Sequence, residues 1–177
     1  MHQRPGPDEF APFFQGYVAR VPDGDVIATL ERQGAATVAR LAGVADARGG
    51  FAYAPGKWTV RRVVQHVADG ERLFAYRALC LARGEQASLP PFDEDLYAAN
   101  DGSDQRTLRS LTEEFASVRA ATLTLLRGLS PDAWSRRGLV SGRPASVRAQ
   151  AWIAAGHELH HLEVLRERYG VAGPAGA

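Results

Sequence analysis

Apolar residues recur at steps of three and four through four long segments of this chain, a spacing that commits it to helices rather than strands. The first segment opens near Asp23 or Asp25, carries Ile27, Leu30, Val38 and Leu41 on one face, and is expected to run to Gly49-Gly50. After a Pro55-Gly56 turn, Thr59 can cap a second helix in which Val63, His66, Gly70, Leu73, Phe74 and Arg77 share a side before Gly84. A third is expected from about Ser103 to Leu129, with Leu108, Leu111, Phe115, Val118, Thr122 and Leu125-Leu126 as its stripe. The fourth begins near Ser146 and ends at Tyr169 against Gly170.

Such helices bury their stripes against one another, so an all-α helix bundle is predicted. The length of 177 residues suits a single continuous core. Residues 1–22 read as an N-terminal arm, with Phe10, Phe13, Phe14, Tyr17 and Val18 on one helical face and Pro12 and Pro22 keeping it short. Residues 23–170 form the bundle, and 171–177 a flexible tail of small residues. Ser88 to Asp104, with Pro90-Pro91 and several acids, reads as a long irregular crossover that could lie over a cleft. Ser130-Pro131 opens a short turn or helix, and Arg136 to Pro144 suits a loop.

Twenty-one basic residues against twenty acidic ones, dispersed along the chain, provide no footprint for nucleic acid or an anionic membrane. Neither a signal segment nor a spanning helix is expected. Trp58, Trp134 and Trp152 are read as bundle anchors, since the charge around them builds no stacking groove. The lone Cys80 excludes an internal disulfide, and its apolar neighbours Ala78, Leu79 and Leu81 suggest a buried thiol in a reducing, cytoplasmic setting.

The chemistry concentrates in histidines. His157 and His161 stand one turn apart with similar directions, a spacing that lets two ring nitrogens meet one ion at about 2.0–2.1 Å. His160 competes through its own shared face, but Ile153, His157, His161 and Val164-Leu165 make the more consistent inward path. His66 supplies a third ligand if the second and fourth helices are neighbours. The general-base role that a glutamate plays in His-Glu-x-x-His hydrolases is not carried over to Glu158.

Two passages extend this reading: Lys57-Trp58-Thr59-Val60-Arg61-Arg62-Val63-Val64-Gln65-His66-Val67-Ala68-Asp69-Gly70-Glu71, and Gly156-His157-Glu158-Leu159-His160-His161-Leu162. Their order resembles the DinB-like (DinB/YfiT-like) superfamily over roughly Ile27 to Tyr169. The resemblance implies His66, His157 and His161 as ligands of a divalent ion, with nickel, zinc or manganese in different members. It further implies an antiparallel four-helix bundle with a long crossover, assembled as a homodimer. A small-thiol-dependent S-transferase acting on a small-molecule substrate is the first activity expected, with a metal-dependent hydrolase and a noncatalytic metal-binding bundle as alternatives. Arg143, Arg136 or Arg137 could hold a substrate carboxylate, and Asp69 or Glu71 could orient a ligand or move a proton.

Overall fold

A computed structural model describes residues 3–171. Short 3₁₀ turns at Pro7–Glu9 and Pro12–Phe14 lead into α1 (Gln15–Arg20), followed by α2 (Val26–Ala42) and α3 (Val60–Ala82). The crossover contains α4 (Glu94–Asn100), and α5 (Leu108–Arg127) and α6 (Pro131–Trp134) precede a two-stranded hairpin, β1 (Arg137–Val140) and β2 (Arg143–Ser146), and α7 (Val147–Tyr169). Polar side chains start the long helices: Asp25 accepts from the Ile27 and Ala28 N–H groups, Thr59 from Arg62, Thr107 from Ser110 and Ser146 from Ala149. Each cap contributes about 1 kcal/mol by satisfying a donor that the first turn leaves open. Gly170, at φ 67°, ends α7 in a left-handed conformation that glycine adopts without strain.

The four long helices form the core, α2 and α3 each packing against both α5 and α7. Two antiparallel pairs make up this bundle. Arg119 of α5 reaches the Leu30 carbonyl near the start of α2, whereas Phe115 meets Thr37 and Leu41 further along it. On the other side, His66 of α3 lies against His161 and Phe74 against His157, so α3 and α7 also run in opposite senses. Side by side, α3 and α5 run the same way, Gln65 meeting Glu114 and Glu71 meeting Arg119. A parallel pair needs a connection that returns the full length of the bundle, about 34 Å for the 23 residues of α3. That return explains the long crossover.

The α7 helix is wrapped rather than half-exposed. It contacts α1, α2 and α3, and every residue from Ala149 to Glu158 is buried. A helix enclosed on all sides cannot show a clean apolar stripe, and here Ala149, Ala151, Ala154, Ala155 and Gly156 let neighbours come close. At Gly156 a Cβ would collide with the backbone carbonyl of Tyr17 in α1. The arm is tied down further by Arg4, which donates to the Val18 and Val21 carbonyls and lies over the Trp152 ring, and by the pairing of buried Glu9 with half-buried Arg148. Trp134 and Trp152 are buried among Val18, Leu30, Leu126 and Ile153, as expected of anchors.

Several boundaries differ from the sequence expectation. The first helix stops at Ala42, and Asp46–Gly50 form a separate 3₁₀ turn because Asp46 is used elsewhere: its carboxylate accepts from the Leu108 N–H and from Arg61. The third helix starts at Leu108, with Ser103–Gln105 as a 3₁₀ turn before it. The expected loop over 136–144 is instead the β1–β2 hairpin, turned by Ser141 at φ 53° and Gly142 at φ 71°. Two successive positive φ values make the tight turn whose twist suits paired strands. Cys80 is half-buried and not enclosed, because consecutive helical residues point about 100° apart and its buried neighbours Ala78 and Leu81 face elsewhere. Of the expected tail only Val171 lies within the described residues, and it is buried with its N–H bonded to the Leu165 carbonyl. No helix among the described residues is long and apolar enough to cross a membrane.

Two outcomes follow from the arm. Gly156→Ala is expected to cost about 1–3 kcal/mol by forcing α1 off α7, read as a lower urea midpoint; an unchanged midpoint would contradict this contact. Glu9 is held at about 2 against an ordinary 4.5, its burial being outweighed by bonds from Arg148 and the Gly6 N–H. A lowered carboxyl stabilises the fold above pH about 4.5 and loses that contribution as pH falls toward 2. Glu9→Gln should therefore flatten this part of the acid-unfolding curve, and a curve of unchanged shape would refute the linkage.

Candidate metal centre

The packing of α3 on α7 brings His66, His157 and His161 together, with one ring nitrogen from each inside a 4.8 Å group. The His157 and His161 rings are 4.5 Å apart between centroids, as their one-turn spacing requires, and His66 lies 4.8 and 4.6 Å from them. Nε2 of His66 and Nε2 of His157 are 2.9 Å apart. Gly70 makes this approach possible, since a Cβ there would come within 2.7 Å of Cε1 of His157. Aromatic edges close the surroundings: Tyr17 and Phe74 stand against His157, and Trp58 stands 4.9 Å from His66. Trp58 is thus half-buried at the cluster as well as a bundle anchor, its carbonyl accepting from the Tyr169 hydroxyl.

All three rings are kept neutral. Burial, with the nearby His160 adding to it, lowers His66 to about 4, while Asp95 pulls in the opposite direction. Burial and then His66 and His160 lower His161 to about 2. His157 is held well below the ordinary histidine range, first by burial and then by the other histidines. Nε2 of His161 is buried with no hydrogen-bond partner, an orphaned atom of the kind a folded interior rarely retains. Three uncharged nitrogens, one of them orphaned, fit a divalent ion: donors at about 2.0–2.1 Å in a tetrahedral shell lie roughly 3.3 Å from one another.

Two cavities reach the cluster. One, of about 390 Å³, ends at His157 and is walled by Phe14, Tyr17, Phe74 and Phe92. The other, of about 310 Å³, is bounded by Lys57, Trp58, His160 and His161. The start of α4 lies between them, Asp93 and Glu94 lining the first and Asp95 the second. The crossover therefore does cover the cleft.

The remaining candidates separate. His160 flanks the cluster, half-buried against Tyr17, with its own Nδ1 unpartnered. Asp69 is taken up by bonds from Gln65 and Arg72. Glu71 turns toward α5, where both of its oxygens accept from Arg119 at 2.7 Å. His157 to His161 has the spacing His-Glu-x-x-His, yet Glu158 does not face the cluster; it accepts from Arg119, Gln33 and Thr37 in the interior. Arg136 donates to the Ala82 carbonyl and Arg137 pairs with Asp8, and of the three expected arginines it is Arg143 that lines the cavity ending at His157. Sequence reasoning missed Arg119, although a signal existed: it lies on the same stripe as Phe115, Thr122 and Leu126, where a solvated arginine does not belong.

A helical bundle with a three-histidine cluster between its second and last long helices defines a class, and the chain belongs to the DinB superfamily, whose family model matches residues 29–165. Among solved structures it is similar to YfiT from Bacillus subtilis, described as a probable metal-dependent hydrolase with an unusual four-helix bundle topology. That likeness has a TM-score of 0.73 and 21% identity, over 92% of this chain and 94% of that one. A mycothiol-dependent maleylpyruvate isomerase is similar at TM-score 0.66 and 19% identity, over 82% of this chain but only 61% of the isomerase. A DinB-like protein from Bacillus subtilis matches at TM-score 0.59 and 15% identity, over 83% and 91%. No curated protein matches the sequence.

The interior network carries its own prediction. Arg119→Ala strands two buried carboxylates and should destabilise the fold by about 3–5 kcal/mol, measured by chemical denaturation. A loss below about 1 kcal/mol would contradict the buried pairing of Arg119 with Glu71 and Glu158.

Proposed function

We propose that this protein is a divalent-metal-dependent hydrolase of a small molecule, with its ion held by His66, His157 and His161. The observation that carries the reading is the orphaned Nε2 of His161 beside two neutral rings, one of which, His157, ends a cavity large enough for a small substrate. Nickel, zinc and manganese all accept imidazole donors, so the ligand set does not choose among them. Bound there, a divalent ion supplies Lewis acidity that polarises an acceptor and brings water toward ionisation near neutral pH. The chain supplies the rest. His157 lines the first cavity, Tyr17 and Phe74 pack against its ring and Trp58 against His66, and Glu158 holds the turn carrying His157 to α5 through Arg119. The likeness to a probable metal-dependent hydrolase over nearly the full length of both chains supports this reading.

A small-thiol-dependent transfer is the second reading, favoured by one feature: the second cavity meets the same cluster from the side of His161 and could seat a co-substrate. Likeness to a mycothiol-dependent enzyme points the same way.

Replacing His66, His157 or His161 by Ala should weaken divalent-metal binding at least tenfold while helicity persists, with a smaller effect for His160→Ala. Equal affinity in the three cluster variants and the parent would remove the proposed ligand set. Turnover of ester and amide panels should need metal, occur in water alone, and vanish in His161→Ala. Turnover only when a small thiol is added would select the second reading, and tight metal binding without any turnover would make the site structural.

A further inference from the structure

Arg77 is 4% exposed, yet its charge has no carboxylate partner among the described residues. Among the described residues its one hydrogen bond is from Nη2 to the Pro90 carbonyl at 3.0 Å, and its guanidinium lies 5.6 Å from the centre of the Phe92 ring. Burial accordingly lowers its pKa, the reverse of Arg119, where the bonds it donates to Glu71 and the charge of Glu158 outweigh burial. A buried guanidinium without a counter-ion is costly, and this one lines the same cavity that ends at His157. Gln150, 3% exposed, lines that cavity too, and its side-chain oxygen is buried with no partner. The amide of Gln150 can offer either an acceptor or two donors.

We propose that this cavity binds a monoanionic carboxylic acid with an aromatic or extended apolar body, its carboxylate on Arg77 and Gln150. The planar guanidinium fork fits a carboxylate's two oxygens. Phe13, Phe14, Phe74 and Phe92 provide apolar and aromatic surface for the body. Asp93 and Glu94 also line the cavity, and their repulsion grows with each negative charge a ligand carries, which favours a monoanion over a more highly charged acid. Arg77 lies seven residues beyond Gly70, on which His157 rests, a rise of about 10 Å along α3. Resting on the hydrolase reading, the inference names its substrate class: acids whose scissile bond is several atoms from the carboxylate.

The test is calorimetric titration of the full-length protein, as purified and after chelation, with 4-phenylbutyrate and with the matched neutral 4-phenylbutyramide. The acid should bind about ten- to hundredfold more tightly than the amide in both preparations, and Arg77→Gln should abolish the difference. Gln150→Leu should reduce it, and Arg143→Ala, at the exposed rim, should change it little. Equal binding of acid and amide, a preference that survives Arg77→Gln, or one that exists only with metal present would overturn the assignment. Should Arg77→Gln lose its helicity, the parent protein decides: a crystal soaked in 4-phenylbutyrate must show the carboxylate on Arg77, and a carboxylate on the histidine cluster refutes the site. Binding and turnover fail separately. Acid preference without hydrolysis removes the hydrolase reading alone, and hydrolysis without acid preference removes this site alone.

Discussion

One guanidinium in the interior joins all four long helices. Arg119 of α5 donates to Glu71 of α3, to Glu158 of α7 and to the Leu30 carbonyl of α2. Apolar contacts are non-directional, and helices packed by them alone tolerate sliding past one another. A buried charged network does not, because a shift of one turn, about 5.4 Å, would leave ions unpaired in a medium that cannot solvate them. Glu158 is the residue after His157, so the pairing that fixes α7 also fixes where His157 and His161 meet His66.

Glycine is what lets these groups approach. The Arg119 side chain crosses Gly34, where a Cβ would lie 2.9 Å from Nη1. His157 rests on Gly70, and the Tyr17 backbone rests on Gly156. With α1 laid over α7, the histidine cluster lies inside an aromatic and apolar shell, and that desolvation keeps its rings neutral. Packing thereby produces the chemistry: a charged imidazole has no lone pair to give a metal.

The two buried arginines illustrate how similar sequence signals acquire different meanings. Both Arg77 and Arg119 stand on apolar stripes of their helices, and both are desolvated. Arg119 meets two carboxylates and becomes part of the scaffold. Arg77 meets a cavity, and its unbalanced charge faces space a ligand can enter.

Whatever depends on neighbours along the chain was legible in the sequence. The caps at Thr59 and Ser146, the stop at Gly170, and the shared face of His157 and His161 follow from 3.6 residues per turn and from which groups a helix end leaves unpaired. The wrapped α7 was harder to read, since a helix buried on every side has no polar face to contrast with its core. Ser141 gave little warning of a hairpin, because its positive φ is stabilised by strand pairing and the contact with Leu89. Only the tertiary structure decided that α3 lies against α7, that Glu158 and Glu71 turn to Arg119 and not to the histidines, and that Arg77 has no carboxylate partner among the described residues. Those outcomes depend on groups distant in sequence meeting in a low-dielectric interior, where each charge must find a counter-charge or a ligand, and local spacing carries no record of which it finds.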